Sequence, residues 1–266
     1  MIKKTDRYLN TDQHLLKCAR RAYKAGHFLK VIVDCRTILR DNPHHANAWY
    51  GLGLAYQGLR RYRHALKAFR RVIKLRWHRA EAWVEIGHLY WWLHEHKLAR
   101  RAYSRALRED PRQVQAHYWL GILAFHAKRF PEAKRHLQQV VHSQSSNAWA
   151  LAYLGYIALV DKRWSQAVTL LRRAARQFNK IPWLLYNLGL AYFERRQYEP
   201  AKRTLRRFLK LTPRDADAYD LLGLVALESG RRASAITYFR RALRYRPTHR
   251  FAKRHLKRSL STQITT

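Results

Sequence analysis

Apolar residues sit on helical spacing along the chain, and the pattern recurs. Between residues 46 and 79, Trp49, Leu52, Gly53 and Tyr56 follow the i, i+3, i+4, i+7 spacing of one helical face. After a break around Gly58-Leu59-Arg60, Ala65, Phe69, Val72 and Ile73 do the same. Two short amphipathic helices, A and B, are predicted. The pair Leu-Gly or Ile-Gly returns at Gly53, Gly87, Gly121, Gly155, Gly189 and Gly223, always 34 residues apart, and alanine returns on the same period at Ala65, Ala99, Ala133, Ala167, Ala201 and Ala235. A fixed period of this length marks a repeat array. The register gives seven contiguous units: 12–45, 46–79, 80–113, 114–147, 148–181, 182–215 and 216–249. Residues 1–11 read as an N-terminal extension, 250–260 as a basic capping helix and 261–266 as a frayed tail.

Proline and glycine fit this division. Pro43, Pro111, Pro213 and Pro247 are placed to end helix B, since proline cannot continue a helix. Pro131 and Pro200 fall near the start of helix B, where a missing N–H costs little. The periodic glycine and alanine have a packing reading: small side chains let the A and B backbones approach closely. A larger residue at Gly121 or Ala133 is expected to overpack that contact at a cost of about 1–3 kcal/mol.

The run Trp49…Leu52-Gly53…Tyr56…Ala65…Phe69 resembles the tetratricopeptide repeat. So do Trp83…Ile86-Gly87…Tyr90…Ala99…Tyr103…Pro111 and Leu188-Gly189…Tyr192…Ala201…Pro213. The first unit departs from the pattern, with Cys18-Ala19 in place of Leu-Gly and Val31 in place of Ala; three units carry Trp77, Ser145 and Asn179 where the closing proline would stand. The resemblance implies an all-α, right-handed superhelical solenoid of antiparallel helix pairs. It also implies that helix A lines a concave wall and helix B a convex one.

Charge sharpens that picture. The 266 residues contain 54 Lys and Arg against 17 Asp and Glu, a formal net charge of +37, while 47% of residues are hydrophobic. In units two to seven, a single cation, Arg195, falls within the first fourteen positions, the A segment. Helix B carries the rest in columns that share repeat positions: Arg70, Arg172, Arg206 and Arg240; Arg71, Arg105, Arg173, Arg207 and Arg241; Lys74, Arg108, Arg176, Lys210 and Arg244. A merely solvated face would mix signs. Two readings of the excess remain open: contact with phosphate or another anionic surface, and adaptation to an acidic milieu or genome composition without a partner.

On the resemblance, ligand contacts belong to the inner side of helix A. The candidates are Tyr50, His88, Trp91, Trp92, Tyr118, Phe125, His126, Trp149, Tyr156, Trp183, Tyr186 and Phe193, with Glu194, Asp217, Asp220 and Glu228 making one end negative. Some of these rings, Trp149 and Tyr156 among them, have core packing as an equal alternative. Trp91 and Trp92 point about 100° apart on a helix, so they cannot both face one core. Helix A lacks the cations that hold a peptide carboxylate in some tetratricopeptide domains. An apolar or aromatic peptide suits it better, with a basic end against Asp217, Asp220 and Glu228.

Other chemistry finds little purchase. His94-Glu95-His96 lacks metalloprotease spacing, and no metal site or cofactor is expected. Cys18 and Cys35 read as buried free thiols. No glycine-rich phosphate loop and no acid–base pair stands out. The chain has no apolar run long enough for a transmembrane helix and opens without a signal-peptide pattern, so a cytoplasmic location is expected. The expectation is a non-enzymatic protein–protein interaction scaffold that binds a peptide or partner helix in an aromatic groove. Its basic convex face would meet an anionic partner or surface. The alternative is RNA or DNA binding by the convex Arg columns.

Overall fold

The computed structural model describes residues 2–261, with side-chain surroundings from residue 13 onward. The described residues form fifteen α-helices and no strand. The chain divides into two compact units, Met1–Arg129 and Phe130–Thr266.

The N-terminal unit contains α1 (Ile2–Lys24), α2 (Phe28–Asp41), α3 (Ala46–Gly58), α4 (Tyr62–Lys74), α5 (Arg79–Trp92), α6 (His96–Glu109) and α7 (Val114–His126). The C-terminal unit contains α8 (Phe130–Ser143), α9 (Ala148–Val160), α10 (Trp164–Gln177), α11 (Pro182–Glu194), α12 (Tyr198–Leu211), α13 (Ala216–Glu228), α14 (Arg232–Tyr245) and α15 (Arg250–Ser261). The odd-numbered helices through α13 are the A segments and the even-numbered ones the B segments. Within each unit every helix packs on the next in sequence, and successive A helices also touch, as in α1 with α3 and α11 with α13. Helix α1 runs unbroken through residues 2–11, where an extension was expected. Of the expected tail at 261–266, Ser261 ends α15 and the other five residues lie outside the described residues.

Helix composition follows from this stacking. An A helix is enclosed on several sides by its own B helix, the preceding B helix and the next A helix. It is therefore apolar almost all round. Helix α9 has no charged residue and buries Leu151, Leu154, Ile157 and Leu159 among others. A B helix keeps one free face and is sharply two-sided. Helix α4 buries Ala65, Ala68, Phe69 and Val72 and turns its charges outward. The segregation of cations thus has a packing component: an A helix has little room for them.

The periodic glycines mark where A and B helices meet most closely. A Cβ on Gly87 would lie 2.3 Å from a ring carbon of Tyr103, and one on Gly223 2.3 Å from Phe239. Both rings are fully buried. The prolines behave as expected, with α2, α6, α12 and α14 each ending two residues before one.

The A–B turns share one backbone feature. Arg60, His94, Lys128, Lys162 and Arg196 all have φ between 55° and 60°, and Gly26 and Gly230 take the corresponding place with φ of 77° and 73°. In the first of these turns the Arg60 N–H donates to Gln57 O at 2.9 Å and the Arg61 N–H to Tyr56 O at 2.8 Å. This is the left-handed helix stop in which two otherwise orphaned carbonyls find donors.

Candidate functional site

In the N-terminal unit the A helices carry two connected features. The first is an apolar cavity of about 440 Å³ where α1, α2 and α3 meet the approach to α5, lined by Val31, Cys35, Tyr50, Leu54, Trp77 and Glu81 among others. Tyr50 is half-buried, with its ring edge-on to Phe69 at 5.4 Å and Trp77 at 5.8 Å. Burial, and then the Glu85 charge, push the Tyr50 phenol above its ordinary range. Burial, and then Asp34, push the Cys35 thiol up to about 12, which makes it an unreactive core thiol at neutral pH. Cys18 and Cys35 are both free.

The second feature is an aromatic cluster around α5. The His88 ring lies between Trp119, at 5.4 Å, and Tyr103, at 5.8 Å. Trp91 is half-buried against Trp119, at 5.1 Å, and His96, at 4.9 Å. Trp92 points the other way. It stacks on Tyr62 at 5.9 Å and remains 47% exposed. The adjacent tryptophans therefore divide as the helical turn requires: Trp91 supports the cluster and Trp92 presents a ring to solvent. Beneath them, Glu85 Oε2 accepts from Gln57 Nε2 at 3.2 Å and lies 3.3 Å from His88 Nδ1. Tyr118 and Phe125 on α7 are half-buried and His126 is exposed.

The C-terminal unit has its own ring cluster. Trp183 packs on Tyr153 at 5.6 Å and stacks on Tyr156 at 5.8 Å, while Trp149 meets Phe178 at 4.9 Å. Trp149 is exposed, and the other candidates here, Tyr156, Trp183, Tyr186 and Phe193, are half-buried. Burial first, and then Asp217, push the Tyr186 phenol up to about 12.

Two carboxylates expected to receive the basic end of a ligand do something else. Asp217 accepts from Arg246 through both oxygens, at 3.1 and 2.9 Å, and pairs with His249 Nε2 at 3.0 Å. Asp220, buried at 7% exposure, pairs with His255 Nδ1 at 2.9 Å. His249 Nδ1 accepts the Ala252 N–H at 3.1 Å, so this histidine both stops the first turn of α15 and ties it to α13. The acids hold the capping helix. Glu194 and Glu228 stay exposed. Sequence reasoning missed Glu85, Trp119 and Tyr153. All three lie on A helices and share one repeat position, the sixth of each unit, which none of the chosen residues occupies.

The B-helix candidates are uniformly accessible. Arg70, Arg71, Lys74, Arg105, Arg108, Arg172, Arg173, Arg176, Arg206, Arg207, Lys210, Arg240, Arg241 and Arg244 are all exposed. Among the described residues none of them forms an ion pair with a carboxylate. Several are held by neutral groups. Arg173 donates to Ser145 O at 2.7 Å, Arg207 to Asn179 O at 3.4 Å, and the Arg105 guanidinium sits 4.7 Å over Trp83. Their positive charge is left unneutralised.

Among the described residues no group of three His, Cys, Asp or Glu is placed to hold a metal ion, and no helix is long and apolar enough to cross a membrane. His94 and His96 stand edge-on at 6.2 Å.

Tetratricopeptide-repeat family models match the chain, one over residues 84–133, 127–180 and 186–250 and another over 46–76. No curated protein matches it. Several solved structures are similar. YrrB, a tetratricopeptide-repeat protein with an unusual peptide-binding site, is 20% identical with a TM-score of 0.67 over 72% of this chain and 99% of that one. The pilF protein of Pseudomonas aeruginosa is 21% identical with a TM-score of 0.61, covering 80% and 97%. A chain of the Cut9–Hcn1 hetero-tetramer of the APC/C is 23% identical with a TM-score of 0.56, covering 91% of this chain. This chain spans 48% of that one's length. These likenesses concern the fold. With the helix pairs, the periodic glycines and the family matches together, the chain belongs to the tetratricopeptide-repeat family.

Proposed function

We propose that the chain is a non-catalytic adaptor that binds a peptide or partner helix on its A-helix face, with Trp92 as the anchor. The family is one of protein-interaction scaffolds, and the fold neighbour YrrB carries a peptide-binding site. The observation that carries the reading is the Trp92 ring, 47% exposed yet backed by Tyr62. A large ring held rigid at the surface anchors a partner at low entropic cost. Its surroundings favour an apolar or aromatic ligand. Glu81 and Glu85 supply negative charge nearby, in place of the cap-engaged Asp217 and Asp220. The site we propose therefore centres on Tyr50, His88 and Trp92, with Trp91 as support.

The unpaired cations on the B helices support a second contact, with an anionic partner or surface. Direct RNA or DNA binding is the rival reading of the same charge. It requires sequence-tolerant affinity that falls steeply with salt.

The test is affinity capture from nuclease-treated lysate at moderate salt, comparing the native chain with Trp92→Ala, whose folding is checked by circular dichroism. A protein retained by the native chain and lost by the variant is the expected result. Equal retention by both, or no retained protein, overturns the A-face reading. Capture abolished by nuclease alone moves the function to the B helices.

A further inference from the structure

The B-helix faces are basic everywhere, but they are not alike in shape. Where α2, α3 and α4 meet, a cleft of about 670 Å³ opens. Arg36, Arg40, Lys67, Arg70, Arg71 and Lys74 line it, and no carboxylate does. Trp49, Leu52 and Tyr56 of α3 form its floor. Two clefts occupy the corresponding place in the C-terminal unit. One, between α8 and α10, is about 170 Å³ with two cations, Lys134 and Arg163. The other, between α12 and α14, is about 50 Å³ with three, Lys202, Arg206 and Arg231.

One repeat position differs in side-chain volume among the three clefts. It holds Leu170 in the first small cleft and Tyr238 in the second, where the Tyr238 hydroxyl also accepts from Arg206 Nη2 at 3.4 Å. In the large cleft the position is Ala68, 1% exposed. The smaller side chain leaves room beside Trp49, which is half-buried, while Leu52 and Tyr56 lie deeper at 5% and 6% exposure.

The charge in this cleft is also little compensated. Among the described residues, only Arg40 of its six cations meets a carboxylate, Asp41 at 3.4 Å. In the small clefts Arg163 pairs with Asp161, and both Lys202 and Arg231 pair with Glu199. Arg36 Nη2 donates to the Tyr56 hydroxyl at 2.9 Å and Arg70 Nη2 to the Tyr90 hydroxyl at 3.4 Å, both neutral partners. These contacts fix the direction of the guanidinium groups and leave their charge intact. Converging Arg groups match phosphate geometry. The volume falls within the range of small-molecule sites, which combine a mostly apolar lining with a few placed polar groups. An extended nucleic acid would use the flat basic columns. A wide basic cleft with aromatic residues at its base suits a compact ligand that is polyanionic at one end and flat at the other.

We propose that this cleft binds a nucleoside polyphosphate, its phosphates on Arg36, Arg70, Arg71 and Lys74 and its ring on the Trp49–Tyr56 floor. The proposal rests on the reading of the B-helix faces as anion-binding and adds a discrete site with a ligand class.

Titration calorimetry of the full chain tests it, with magnesium-free ATP, inorganic triphosphate and a short single-stranded RNA as probes. The expected result is one saturable ATP site, with triphosphate at least about tenfold weaker. Ala68→Leu should weaken ATP by about tenfold or more through filling the cleft with no change of charge. Because Ala68 is buried, a second variant leaves packing untouched. Arg36→Gln with Arg70→Gln, both exposed, should produce a loss of the same size. Arg206→Gln with Arg240→Gln removes equal charge from the same repeat column and should change affinity by less than about twofold. Equal losses in the two double variants overturn the cleft while leaving a diffuse anion-binding face. Triphosphate binding as tightly as ATP overturns it too, because the floor then contributes nothing. No binding of ATP, triphosphate or RNA removes both the cleft and the anion-binding reading.

Discussion

Helices α5 and α13 occupy the same place in their repeats and share two residue choices, yet one of those choices has opposite consequences. Both carry a glycine, Gly87 or Gly223, against a fully buried ring. Both carry an acid at the second position, Glu81 or Asp217. Glu81 pairs with His78 at 3.3 Å, at the start of its own helix. Asp217 instead reaches across to Arg246 and His249, beyond the following helix. The glycine faces its own B helix, which every repeat supplies. The acid faces whatever follows the repeat, and after α14 that is the capping helix. A position that pairs locally in mid-array thus ties helices together at the end.

The shared half of the comparison carries the largest expected effects. Gly87→Val and Gly223→Val should each cost about 3 kcal/mol, since neither Tyr103 nor Phe239 has room to move. Urea denaturation checks this, and a marked inequality between the two would show that the A–B contact is not equivalent along the chain.

The divergent half comes next. Asp217→Ala leaves His249, whose side chain is 4% exposed, without its partner and should cost about 2 kcal/mol, concentrated in α15. The exposed Arg246 arm adds little to this. Glu81→Ala should stay within about 0.5 kcal/mol. Hydrogen exchange resolved over residues 250–261 distinguishes the two variants, and equal effects would erase the contrast.

The same contact sets a pH dependence. Burial works against the Asp217 charge, but the Arg246 hydrogen bond and charge, and then His249, hold its carboxyl below the ordinary 3.8. A folded-state value lowered in this way contributes stability above the unfolded-state value and loses it as pH falls through the folded one. Protection of α15 should therefore be full near pH 5 and decline as the pH drops below about 4. In Asp217→Asn this decline should be absent. Trp92→Ala should cost about 1 kcal/mol through the lost stacking on Tyr62, well below the cost of the glycine variants, so that a loss of binding in this folded variant reads as loss of contact.

Much of this arrangement was legible in the residues alone. The 34-residue recurrence of glycine and alanine located the helix pairs, and the cation columns identified the exposed side of each B helix. The angle between Trp91 and Trp92 required them to part, but which of them stayed exposed depended on Trp119, 27 and 28 positions away on another helix. The ties of Asp217 to Arg246 and His249 were not foreseen for the same reason. It sits on the inner column, and nothing local reveals that Arg246 and His249 return to meet it. Glu85 was overlooked together with Trp119 and Tyr153 because their shared repeat position was not among those assigned to the groove. Single-column reasoning finds which face a residue is on, and tertiary neighbours decide whether that face is free.

The left-handed turns bear on how far this chain could be made more robust. Glycine adopts that conformation freely, whereas a side-chain-bearing residue costs about 1 kcal/mol there. Gly26 and Gly230 fill two of these turns, while Arg60, His94, Lys128, Lys162 and Arg196 hold the same conformation with a side chain. The five turns lie a full repeat apart, so replacing each residue by glycine should raise stability in nearly additive steps. Every replacement except that of His94 would also remove a formal positive charge. The chain holds an untapped margin of thermal tolerance at its corners, and drawing on it would reduce the cationic character that distinguishes its surface.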